Sequence, residues 1–123
     1  MAIYDNLPVF KDTYDLLLQI IRLSMNLQRD FRYTLGERLK TEIMDLCIYI
    51  YKANGSYEKQ EFIEQARERM VVIKLQIRVL HDTKQISVKQ YAMLADKMES
   101  ISKQLASWEK YLKKVKQESN NTK

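Results

Sequence analysis

Apolar residues recur three and four positions apart along almost the whole chain, the spacing that puts them on one side of an α-helix. Tyr14, Leu17, Leu18, Ile21 and Met25 keep this spacing first, and Leu16, Ile20, Leu23 and Leu27 make a second strip beside them. A helix apolar on two strips touches more than one neighbour. Pro8 suits a first helical turn, where its missing N–H is not needed, so a first helix is expected over about 9–26. Leu35, Leu39, Ile43, Leu46, Cys47 and Ile50 stripe a second helix, expected over about 34–53. Asn54 and Gly55 should stop it, since both tolerate the left-handed backbone of a helix end. Phe62, Ala66, Met70, Ile73, Ile77 and Leu80 alternate four and three apart, the seam pattern of a bundle, and predict a third helix over about 58–84. Tyr91, Leu94, Met98, Ile101, Leu105, Trp108, Leu112 and Val115 predict a fourth over about 87–116, leaving 117–123 as a flexible polar tail.

Local chemistry marks the starts. Thr34 and Glu37 spell a capping box, as do Ser87 and Gln90, each side chain reaching a backbone N–H that a first turn leaves unpaired. Gly36, unfavourable inside a first turn, marks a close backbone contact. The connections are short, and short connections make neighbouring helices antiparallel. The expectation is a single all-α domain over 1–123, an antiparallel up-down-up-down four-helix bundle.

Composition agrees. Two Gly and one Pro in 123 residues are too few for a turn-rich β architecture. The single Cys47 allows no internal disulfide. With no basic and apolar leader at Met1–Asp5, and no membrane-length apolar run, the expected setting is the cytoplasm, without membrane contact. A net charge of +5 permits a nucleic-acid partner without requiring one.

Catalytic chemistry finds little footing. His81 is the only histidine, Cys47 sits on an apolar stripe, and neither a Glu-x-x-His pair nor a Gly-rich phosphate loop occurs. No enzyme, metal or cofactor is expected. Glu61, Glu64 and Glu68, and Asp96 with Glu99, read as solvated faces. Cations offer more. Arg67, Lys74, Arg78 and His81 share one face of the third helix, and Arg22 on the first helix can add to them. Lys103, Lys110, Lys113, Lys114 and Lys116 gather near the end of the fourth, partly offset by Glu109, where cations also complement the helix dipole. Arg29, Phe31, Arg32 and Tyr33 interleave charge with rings, either as a stacking surface or as rings packed on the bundle end. The nucleic-acid candidates are Arg67, Lys74, Arg78, Arg22, Lys110, Lys113 and Lys114. Leu16, Leu23, Val72, Leu75 and Val79 exceed what a core-facing stripe needs; either a second copy covers them or a thick core absorbs them.

Several segments carry a family resemblance: Asn6-Leu7-Pro8-Val9-Phe10-Lys11 with Tyr14-Asp15-Leu16-Leu17, then Tyr33-Thr34-Leu35-Gly36, Ile50-Tyr51-Lys52-Ala53-Asn54, and Lys84-Gln85-Ile86-Ser87. In this order and spacing they resemble the accessory variability determinant proteins of diversity-generating retroelements. That group is similar in turn to the four-helix bundle proteins encoded in ribosomal RNA intervening sequences. The resemblance spans about Tyr4 to Trp108. It implies a non-catalytic homopentamer with a basic surface and central channel, which binds RNA or DNA and associates with the element's reverse transcriptase during mutagenic copying of template RNA. On that reading Arg67, Lys74 and Arg78 belong to a helix lining or rimming the channel, with Glu64 and Glu68 interrupting the basic stripe. The alternative is an intervening-sequence protein with a structural or interaction role and no retroelement.

Overall fold

The computed structural model of the chain describes residues 6–121. Among the described residues there is no strand. The elements are α1 (Pro8–Ser24), a one-turn α2 (Arg29–Phe31), a π-helical stretch (Arg32–Gly36), α3 (Glu37–Gly55), α4 (Lys59–Asp82) and α5 (Val88–Asn121). The four long helices pack as a bundle: α1 against α3 and α5, and α4 against the same two.

One apolar cluster fills the space between them. It draws Leu16 and Ile20 from α1, Leu39, Ile43, Leu46 and Ile50 from α3, Ile63, Ile73, Ile77 and Leu80 from α4, and Ile101 and Leu105 from α5. Each such side chain taken from water contributes about 1.5–3 kcal/mol before entropy is counted. The expected stripes of the second, third and fourth helices are the ones buried, with Leu35, Phe62, Tyr91, Trp108 and Leu112 packed at the margin. Val115, expected to continue the fourth stripe, is exposed.

On α1 the second strip wins. Leu16, Ile20 and Leu27 are buried with Val9, Thr13 and Ser24; of the first strip Leu17 joins them, whereas Tyr14 and Met25 face outward. The two polar residues bury at little cost because Thr13 Oγ1 donates to the Val9 carbonyl at 2.7 Å and Ser24 Oγ to that of Ile21 at 2.8 Å.

Thr34 does not cap a helix. The helical run already begins at Arg29, so Thr34 lies within the π-helical stretch, and its hydroxyl donates back to the Asp30 carbonyl. The start is held from outside instead, where the Gln28 N–H donates to Gln85 Oε1 at 3.0 Å. Arg32 Nη2 donates to the carbonyls of Met25 and Leu27, at 3.0 and 3.2 Å, and so satisfies acceptors at the end of α1. Gly36 is the close contact expected of it. A Cβ there would lie 3.2 Å from the Phe31 oxygen and 3.3 Å from Leu27 Cδ1.

Ser87 and Gln90 do form a capping box: the Gln90 N–H donates to Ser87 Oγ at 3.0 Å and the Ser87 N–H to Gln90 Oε1 at 2.8 Å. The helix ends differ from expectation. Gly55 is not left-handed; Lys59 Nζ instead donates to the last carbonyls of α3, those of Ala53 and Asn54, each at 2.9 Å. The left-handed residue is Lys84, at φ 63°. There the Gln85 N–H reaches the Leu80 carbonyl at 2.8 Å and the Lys84 N–H that of His81 at 3.0 Å, which is a Schellman closure of α4. The tail expected to be flexible is helical as far as Asn121, and 122–123 lie outside the described residues.

Candidate nucleic-acid interface

The cations of α4 are largely engaged. Arg67 Nη1 lies 2.7 Å from Glu109 Oε1 on α5, and Arg78 Nε lies 3.4 Å from Asp82 Oδ2 one turn away. Lys74 makes no ion pair among the described residues and is half-buried. It shares with Arg67 an open groove of about 420 Å³ between α4 and α5, whose walls also carry Glu64, Glu68, Glu109 and Val71. Three carboxylates against two cations make this groove a poor cradle for phosphate. His81 stacks on Tyr91, ring centroids 4.3 Å apart, and its Nδ1 donates to Asp82 Oδ1 at 3.1 Å. That hydrogen bond, with Arg78 beside it, holds the Asp82 carboxyl below its ordinary range. Arg22 is exposed in the last turn of α1, whose neighbours are α3 and α5, so it does not extend the α4 group.

α5 presents the freer charge. Lys103, Lys110 and Lys114 follow i, i+7, i+11 spacing, which places them in one row. All three are exposed and form no ion pair among the described residues. Lys116 is exposed nearby, and Lys113 leans toward Glu109 at 3.4 Å. Of the sequence candidates, then, Lys110 and Lys114 stand free in one row, Arg67 and Lys113 converge on a single carboxylate, Lys74 lines the same groove as Arg67, and Arg22 and Arg78 lie elsewhere. Lys103 belongs with the row, and its heptad offset from Lys110 is the signal that finds it.

The connection at Arg29–Tyr33 divides. Phe31 packs against the core and Arg32 is occupied by the carbonyls of Met25 and Leu27 just after α1, while Tyr33 is exposed with the Arg32 guanidinium 6.0 Å from its ring centre. The rings therefore do not present a joint stacking surface. Cys47 is buried on α3, and burial pushes its thiol up to about 11, so almost no thiolate exists at neutral pH.

A second surface is apolar. Met44, Ile48 and Tyr51 stand exposed at i, i+4, i+7 on α3, on the side away from Glu42, which turns to α4 through its ion pair with Arg69. Tyr14 on α1 and Met25 just past its end stand exposed, on the side away from Asp12, which turns to α5 through Ser100 and Gln104. Both rows thus flank the seam where α1 meets α3. Of the residues expected to be in excess, Leu16 is buried in the core and Leu23 packs at its margin, whereas Leu75 and Val79 on α4 are exposed with Val71.

Among the described residues no helix is long and apolar enough to cross a membrane. No protein-family model matches this chain, and no curated protein matches it.

Proposed function

We propose that the chain is a non-catalytic, nucleic-acid-binding accessory subunit, self-associated as a homo-oligomer, that works with the reverse transcriptase of a diversity-generating retroelement in the cytoplasm. The observation that carries the nucleic-acid part is the unpaired row Lys103–Lys110–Lys114 on α5. Such a row contacts phosphates and reads little sequence, as a subunit serving varied template RNA requires. The retroelement setting and the five-fold assembly rest on the resemblance of the Tyr33-Thr34-Leu35-Gly36 and Lys84-Gln85-Ile86-Ser87 segments to that family. The apolar rows on α1 and α3 supply a surface for self-association. An up-down-up-down antiparallel course belongs to the same proposal. It is supported by Asp12 reaching Ser100 and Gln104 as well as Lys97, while Asp15, further along α1, pairs with Lys97.

The test is binding of single-stranded RNA and DNA, followed by fluorescence anisotropy across a salt series. Wild type should bind with an affinity that falls steeply as salt rises. Lys103, Lys110 and Lys114 changed together to Glu should abolish binding with helicity retained. Unaltered binding in that variant rejects the α5 row, and absence of binding by wild type rejects the nucleic-acid reading.

A further inference from the structure

Glu109 is the one acidic side chain buried within the basic second half of α5. Its side chain is 11% exposed, against 47% for Arg67 and 58% for Lys113. A carboxylate in that position must keep a cationic partner, because a buried unpaired charge is strongly disfavoured. Arg67 answers it through a charge-assisted hydrogen bond at 2.7 Å, and Lys113 approaches the same oxygen at 3.4 Å. Arg67 keeps further N–H donors exposed, but Glu109 already compensates its charge, so an external phosphate gains less from Arg67 than from an unpaired cation. The free lysines one face away carry no such compensation.

We propose that Glu109 is an internal counter-ion that withholds Arg67 and Lys113 from polyanions and confines phosphate contact to the Lys103–Lys110–Lys114 row. The proposal deepens the nucleic-acid reading and rests on it. Glu109 is here a positioning residue, acting through the cations it holds. Its consequence is a smaller footprint: two cations that the sequence presents on the surface do not count toward the phosphates neutralised. Each cation released should steepen the dependence of log affinity on log salt by somewhat less than one unit.

The experiment compares Glu109→Gln with Glu99→Gln. Glu99 is exposed on α5 with no ion pair among the described residues, so its loss removes the same charge and releases no cation. Binding to a fluorescent single-stranded RNA is measured at several salt concentrations, and elution from heparin is measured in parallel. Glu109→Gln should tighten RNA binding and steepen the salt slope by about 0.7–1.4 units, for one or two cations released onto a single strand, with Glu99→Gln at the wild-type slope. Equal slopes for the two variants overturn the proposal. Arg67→Gln, which keeps Glu109 paired through Lys113, supplies the reciprocal test: its slope should equal wild type, and a shallower one overturns the proposal. If wild type binds no RNA at any salt, the nucleic-acid reading falls and heparin decides the counter-ion role. Later elution of Glu109→Gln than of Glu99→Gln supports it, and coincident elution overturns it.

Discussion

Arg67 and Glu109, 42 positions apart in the chain and on different helices, meet at 2.7 Å. The pair fastens α4 to α5 at the margin of the core, where Glu109 is largely out of water and Arg67 is only half so. Partial exposure of the arginine tempers the pair's worth, so Arg67→Ala is expected to cost about 1–2 kcal/mol, mostly from leaving the buried carboxylate to Lys113 alone. Urea denaturation of Arg67→Ala, Glu109→Ala and the double variant checks this. The double should be more stable than the two single losses added together would allow, and strict additivity would mean the pair contributes nothing.

The two Ser/Thr-x-x-Glu/Gln signatures should respond unequally. Ser87 Oγ accepts the Gln90 N–H at a true helix start, so Ser87→Ala should cost about 1 kcal/mol. Thr34 bonds a carbonyl inside a helical run that has already begun. Its replacement by Ala should therefore change stability by less than about 0.5 kcal/mol, as an exposed substitution away from a cap does. Paired thermal melts read both, and an equal loss at the two sites would place a cap at Thr34 after all.

Lys84 holds φ 63°, a conformation that costs a residue with a Cβ roughly 1–2 kcal/mol and a glycine nothing. The Schellman hydrogen bonds around it use only backbone groups and survive a change of side chain. Lys84→Gly should therefore stabilise the protein by about 1 kcal/mol, less the entropy a glycine adds to the unfolded chain. A lower unfolding midpoint in urea would refute the assignment.

Asp82 gives a pH dependence with a definite sign. Its carboxyl is held below the ordinary range by the hydrogen bond from His81 and by Arg78. A group depressed on folding contributes stability that is complete above its unfolded value, about 3.9, and is lost as pH falls through the folded one. Asp82→Asn should then be less stable than wild type at pH 6 and indistinguishable from it near pH 2. A constant gap across that range would show that the loss is steric.

The bundle core was legible because helix packing is written in local spacing. Leu39–Ile50, Ala66–Leu80 and Leu94–Leu105 needed only their own periodicity. Spacing has no sign, however, when both sides of a helix are apolar. Which strip of α1 faces inward was decided by Thr13 and Ser24, polar by type yet able to satisfy their hydroxyls within the helix. Thr34 misled because a capping motif is local, whereas the helix start was moved upstream by Gln28 bonding to Gln85, 57 positions away. The pairing of the basic residues was hidden for a similar reason. Arg67 reads as a free cation on its own helix, and only the fold brings Glu109 to it.

The apolar rows on either side of the α1–α3 seam carry the last prediction. Met44 is 50% exposed and Ile48 43%, and neither is needed to fill the core. Exposed apolar side chains gathered on one side of a fold mark an interaction surface. If that surface joins copies of this protein, a charge placed in its centre should separate them while sparing the fold. Met44→Lys with Ile48→Lys is thus expected to lower the mass seen by light scattering from that of an oligomer to that of a monomer of 14.7 kDa, with helical content unchanged. The melting curve should then lose its dependence on protein concentration, since assembly stabilises by mass action only while copies associate. An oligomer of undiminished mass would move the contact to Val71, Leu75 and Val79 on α4, the other exposed apolar row.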